Sequence, residues 1–560
     1  MYISTILSFL RCTLLFALAP RFFQEMGCKP SKPLQTVYPG PTTGNQQQQQ
    51  GPPLSVTAPQ AEGTANGTST DWPFITRSGP TLLENDRPFR FITFNVPNLL
   101  LIEDRPGQQG TFLIPDTFEQ HDALYTISQL GGRVARTYTL GVGEKYHITG
   151  PRTYNEEAFV ALDHALAIAR NVRVRLIIPL INNHWGGDDG GTSDPSTCVF
   201  GNYAALTKLR GKKPSAFWND AELVEDFKHL ISFVMNRVNT VNGIRYGDDP
   251  TILAWQLGNE LGGWTGNNPP ASWTIAMTQH IKSLAPRTLV ADGSIGGKDS
   301  SAKLSREALA SSAGPDIFVN HYYHGHEDLK RLPKDAALIG KKHGKVFIVG
   351  EFGFANTRMY GSLYEDMLRN PLISGSLMWS LRSHSKDGGF LVHSEEGGKF
   401  WSYHAPGFVF PPNTQPPPHG FGSDELEVMN QVRHYALAIQ GLNPQTVRPP
   451  IPFPPPTLLP DIGTNWIRFR GSAWAASYNI YRGRQSENGA NGRSDERNIV
   501  WDPQPLATGV SDAKCSGSTI FQDKTAVPGV GYYYAVQGVG TGGDLTAVGP
   551  AVGPVWCCNK

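Results

Sequence analysis

TILAWQLGNE, residues 251–260, is an apolar run that ends in an amide and a carboxylate. Its apolar residues are continuous rather than alternating. A strand with one wet face alternates every second residue, whereas a strand covered on both faces has no polar side to show. The run therefore predicts a strand of a parallel sheet, buried between two layers.

Seven further runs share this character: 89–96 (FRFITFNV), 133–140 (RVARTYTL), 173–182 (RVRLIIPLIN), 288–292 (TLVAD), 317–323 (IFVNHYY), 345–352 (KVFIVGEF) and 374–381 (SGSLMWSL). Helical patterns lie between them. Leu223, Phe227, Leu230, Ile231, Val234 and Val238 recur at helical spacing. Thr117 with Gln120 reads as a capping box ahead of Ala123, Leu124, Ile127 and Leu130. Eight strands alternating with helices in a domain of this size predict a closed (β/α)8 TIM barrel rather than an open sheet.

Outward from the barrel the composition changes. Residues 1–27 hold a mostly apolar segment, 3–19, interrupted by Arg11 and too short to span a bilayer comfortably; it reads as a signal peptide or short anchor. Residues 28–80 are a Pro/Gln/Thr-rich linker with a Gln46–Gln50 run and a glycosylation sequon at Asn66-Gly67-Thr68. The barrel is assigned to 81–443. Residues 444–460, rich in proline, form a semi-rigid spacer. Residues 461–560 carry short strand-like runs between Gly/Asn/Asp turns, the pattern of a small all-β sandwich. Tyr532, Tyr533 and Tyr534 alternate across one such strand, so at least one faces its core. A spacer or packing role is expected for this module.

The 560 residues carry 49 Lys+Arg against 48 Asp+Glu, a balance that argues against nucleic acid as a partner. Twelve tryptophans suit a protein that stacks rings or sugars. The six cysteines show no zinc spacing, and no metal or other cofactor is expected. Cys515 with Cys557 or Cys558 is a plausible pairing in an oxidising compartment. Secretion of a monomer is the expectation, with anchoring by the N-terminal segment as the alternative.

A barrel builds its active site where its strands end. The fourth run ends in Asn259-Glu260 and the seventh in Gly350-Glu351-Phe352-Gly353, so two carboxylates emerge at one rim, three strands apart. Facing carboxylates are what glycoside hydrolysis requires.

The NE and GEFG ends resemble glycoside hydrolase family 5, and 217–220 (FWND) through 260 is similar to its endo-β-1,4-mannanases. The resemblance implies a retaining mechanism with Glu260 as acid/base and Glu351 as nucleophile. It implies that Asn259 binds the sugar 2-hydroxyl and that Arg136 bonds the nucleophile. His321 and Tyr323 match the family's His-x-Tyr, and Trp379 matches the platform under the cleaved sugar. The C-terminal module resembles fibronectin type III-like or immunoglobulin-like domains in a generic way.

Trp185 and Trp264 lie in rim loops and are candidates for further stacking; His384 and His393, in the long loop after the eighth run, could reach the cleft. The NELG sequence departs from the NEPR of many family mannanases. The similarity of the FWND-to-NE stretch to mannanases still makes a β-mannan the expected polysaccharide substrate, with a β-glucan or a short manno-oligosaccharide as alternatives. A non-catalytic carbohydrate-binding protein on a hydrolase barrel is a further alternative; both glutamates being present counts against it.

Overall fold

The computed structural model describes residues 72–103, 113–183, 202–262, 268–294, 305–323, 325, 329–396, 398–409, 420–486 and 499–557. The N-terminal apolar segment, the sequon, Cys198, Cys558, Trp185 and Trp264 lie outside the described residues.

Eight parallel strands form the central sheet: β1 Phe91–Phe94, β2 Val134–Arg136, β3 Arg175–Pro179, β4 Ile252–Gln256, β5 Leu289–Ala291, β6 Ile317–Tyr322, β7 Val346–Phe352 and β8 Ile373–Met378. They pair in the order β1-β8-β7-β6-β5-β4-β3-β2. The sheet closes where Asn95 bridges Arg136 in parallel and Val96 N–H donates to the Arg136 carbonyl at 2.8 Å. Each strand is followed by a helix: α1 Thr117–Leu130, α2 Glu156–Asn171, α3 Ala221–Asn236, α4 Ala271–Leu284, α5 Arg306–Ala310, α6 Leu332–Ala336, α7 Thr357–Arg369 and α8 Glu425–Ala438. The architecture is a (β/α)8 barrel.

The continuous apolar runs have the reason expected of them. On β3, Ile177 joins the cluster inside the barrel while Leu176 and Ile178 pack under the helices. On β4, Leu253 lies inside and Trp255 outside, against Tyr246. Both faces are covered, so apolar side chains fill both along the middle of each of these two strands.

Three local readings shift. The α1 cap is Asp116, whose side chain accepts from Phe118 N–H while Glu119 reaches back to the Asp116 N–H. The capping box starts one residue before Thr117, because a carboxylate caps more strongly than a threonine hydroxyl. Val238 falls beyond the end of α3 and is exposed, while Met235 is buried. Residues 76–78, assigned to the linker by composition, form a strand paired with Thr81–Glu84. Ile75, Leu82 and Phe89 of that hairpin pack on the inner barrel cluster and plug its N-terminal end.

After the barrel, β9 Ala475–Gln485, β10 Ile499–Trp501, β11 Ala507–Val510, β12 Gly531–Gly540 and β13 Val552–Trp556 form an antiparallel sheet. The tyrosine alternation holds: Tyr532 and Tyr534 are buried on one face with Tyr478, Ile480 and Phe469. The proline-rich segment before this sheet lies on the barrel instead of spacing the two apart. Phe453 packs between His121 and Tyr125 of α1, with ring centroids at 5.6 and 5.3 Å, and the Trp474 indole N–H donates to the Thr126 carbonyl. An apolar ring inside a proline run has surface to bury, and α1 supplies it. Cys515 is disulfide-bonded, with its partner outside the described residues.

Candidate active site

Glu260 and Glu351 stand at the C-terminal rim, both buried. An oxygen of each and a nitrogen of His321 all lie within 4.8 Å of one another. Local backbone explains how each is aimed. Glu260 follows β4 with φ at +52°, a left-handed conformation that costs a non-glycine residue on the order of 1–2 kcal/mol. Glu351 sits in β7, where the pairing registers with β6 and β8 both shift. Gly350 makes room for β6: a Cβ there would lie 2.1 Å from Val319 and 3.0 Å from the His321 ring.

Arg136, the last residue of β2, is the hub. Its guanidinium donates to Glu351 Oε1 at 2.8 Å, Asn95 Oδ1 at 3.0 Å, Gln256 Oε1 at 2.8 Å and Asn259 Oδ1 at 2.5 Å. The Tyr323 hydroxyl donates to Glu351 Oε2 at 2.6 Å. Both oxygens of Glu351 are thereby occupied and the side chain is immobilised. Burial and then the Glu351 charge push the Tyr323 hydroxyl well above its ordinary pKa, so it remains a donor at neutral pH. His321 Nδ1 lies 2.8 Å from Glu260 Oε1 and 3.4 Å from Glu351 Oε2, between the two carboxylates. His321 and Tyr323 alternate with Tyr322, which turns outward and donates to Asp335. Asn259 donates to Asn182 Oδ1 at 3.1 Å, leaving its amide beside the carboxylate pair.

Trp379 follows β8 and is half-buried. Its indole N–H donates to Glu395 at 2.9 Å, and Tyr138 lies 5.9 Å away. Glu395 comes from a hairpin in which Ser394–Glu395 pairs with Phe400–Trp401. Burial raises its pKa, but His393 at 3.1 Å and the Trp379 N–H outweigh that, so the carboxylate sits below its usual range. Arg382 and Tyr138 both donate to Glu103 nearby.

The structure thus brings together Glu260, Glu351, Arg136, Asn259, His321, Tyr323 and Trp379. Of the two loop histidines, His393 reaches the cleft through Glu395. His384 does not; it is buried against Asp122 and Asp512. Sequence reasoning missed Asn95, Gln256, Glu103 and Glu395. Asn95 and Gln256 had a usable signal, a polar residue at the end of an apolar run. Glu103 and Glu395 lie in irregular chain with no periodicity to place them.

Residues 144–324 match the model of the glycoside hydrolase family 5 beta-mannosidase-like group. The chain is 33% identical over 261 residues to an Oryza sativa subsp. japonica protein provisionally named mannan endo-1,4-beta-mannosidase 5, covering 45% of this chain and 50% of that one. It is 30% identical over 226 residues to mannan endo-1,4-beta-mannosidase 7 of Arabidopsis thaliana, 39% of this chain and 48% of that one. The chain spans about half the length of these curated relatives. The endo-1,4-beta-mannanase of Rhizomucor miehei superposes with a TM-score of 0.49 at 20% identity, over 66% of this chain and 100% of that chain. The span matched by the family model holds Asn259, Glu260, His321 and Tyr323.

Proposed function

We propose that the protein is a secreted retaining β-glycosidase that hydrolyses β-1,4-mannosidic linkages in mannan-type polysaccharides. The observation that carries this is the carboxylate pair, buried at the barrel rim with oxygens within 4.8 Å. Retaining enzymes hold their carboxyl groups at about 5–5.5 Å, whereas inverting ones need about 6.5–9.5 Å to admit a water.

Glu351, held by Arg136 and Tyr323, is the nucleophile: its free lone pairs attack the anomeric carbon and form a glycosyl-enzyme. Glu260 gives its proton to the departing glycosidic oxygen, then takes one from the water that releases the sugar. His321, bonded to Glu260, holds that carboxyl toward the leaving group. Asn259 binds the sugar 2-hydroxyl and Trp379 stacks on the sugar face. The apolar segment at 3–19 supports export, and the C-terminal sheet is read as a fibronectin type III-like sandwich.

A short manno-oligosaccharide is the second reading of the substrate. It is favoured by the hairpin that brings Glu395 against the edge of Trp379, since a walled subsite releases mono- or disaccharide. Both readings are tested by kcat/KM on manno- and cello-oligosaccharides of equal length, with product sizes from β-mannan. Equal or higher kcat/KM on the cello series rejects the mannan reading.

A further inference from the structure

The geometry points to the C-terminal sheet module as a working part of the cleft: Asp512 acts through His384 to position the loop that leaves the Trp379 platform. This rests on the functional reading of Trp379 above. His384 lies five residues after Trp379 and is buried. Its Nδ1 lies 2.8 Å from Asp122 of α1 and its Nε2 lies 2.9 Å from Asp512, while its backbone N–H donates to the second Asp122 oxygen at 2.9 Å. The imidazole is therefore clamped from both sides, one carboxylate belonging to the barrel and one to the module.

The clamp continues along the loop. Phe390 N–H donates to the Lys514 carbonyl at 2.8 Å, and Ser516 N–H returns a bond to the Phe390 carbonyl at 2.8 Å. The Ser385 and Ser516 hydroxyls meet at 2.7 Å, Gly517 N–H donates to Gly388, and Arg470 donates to the Lys386 carbonyl. Residues 385–390 thus lie on the module as an added strip of backbone pairing. Toward the cleft the same loop carries Arg382, which donates to Ser380 Oγ at 2.6 Å and to Glu103. Hydrogen bonds therefore link the module to the residues beside Trp379. Asp512 and His384 are positioning residues; neither touches the place the sugar would occupy.

The test uses the full chain. In Asp512→Ala, KM for a β-1,4-manno-oligosaccharide should rise at least fivefold while kcat changes less than twofold, because the platform shifts and the carboxylate pair does not. Asp512→Asn, which keeps an acceptor toward the imidazole, should recover most of the loss. Asp544→Ala, which breaks an exposed pair with Arg448, should leave both constants unchanged. Hydrogen exchange reads the coupling without catalysis: amides of 380–391 should exchange faster in Asp512→Ala than in the wild type.

A folded Asp512→Ala protein with unchanged KM and unchanged exchange overturns the inference. Should that variant fail to fold, the Ser385→Ala/Ser516→Ala pair carries the same test: faster exchange over 380–391 supports the inference and unchanged exchange overturns it. A wild type inactive on β-mannan rejects the functional reading, a result seen before any variant is made.

Discussion

Each oxygen of Glu351 has its own donor, and the two donors differ in kind. Arg136 supplies a charge and a rigid fork, Tyr323 a neutral hydroxyl. Arg136→Lys keeps the charge but cannot reach Glu351, Asn95, Gln256 and Asn259 together, so the swap is not conservative. The expected loss is about 10²-fold in kcat/KM, comparable to removing one preorganised donor. Glu351→Ala should abolish turnover with the fold intact, and azide should partly restore it, giving a product of inverted anomeric configuration. Glu260→Ala should spare glycosylation of substrates with good leaving groups. Either variant keeping wild-type activity on polymer would remove the assignment.

Gly350 is where one residue decides the geometry of an element. β6 and β7 approach so closely there that a methyl group would meet Val319 Cγ1 at 2.1 Å. Gly350→Ala should therefore cost about 1–3 kcal/mol, the usual range for overpacking a filled interior. Because the His321 ring is the next neighbour, activity should fall further than stability alone accounts for. Denaturant unfolding alongside kcat/KM separates the two effects. The lesson for reading β7 from sequence is that GEFG carries two signals. The glutamate is chemistry; the first glycine is the space that lets His321 approach it.

Over the whole molecule, the Asp122–His384–Asp512 cluster joins barrel and module. Burial alone would lower the His384 pKa, but the two carboxylates reverse that and hold it at about 10, above the ordinary 6.5. A raised folded-state value means the group favours the folded protein fully below about pH 6.5. That contribution drains as pH rises toward 10. Of these two carboxylates, Asp512 also takes a bond from the Tyr478 hydroxyl and Asp122 also takes the His384 backbone N–H. His384→Ala leaves two buried carboxylates without their cation and should cost about 3–5 kcal/mol at neutral pH. The gap in melting temperature between wild type and His384→Ala should narrow between pH 7 and pH 10; a constant gap would show that the imidazolium is not the stabilising species.

Sequence alone determined the barrel. Eight continuous apolar runs alternating with helices have few other ways to bury both faces of every strand, and a strand's end states its rim residue. Glu260 and Glu351 were legible for that reason, whereas Arg136, Asn259, His321, Tyr323 and Trp379 were picked out by the resemblance to glycoside hydrolase family 5. Only the tertiary structure decided where the irregular chain went. His384 and His393 lie nine residues apart in one loop, yet one locks the module and the other joins Glu395 beside Trp379. The proline-rich segment looked like a spacer, because composition reports stiffness and not the surface a chain lies against. Loop placement depends on contacts far apart in sequence, Asp122 with His384 and His384 with Asp512, and no local period encodes such pairs.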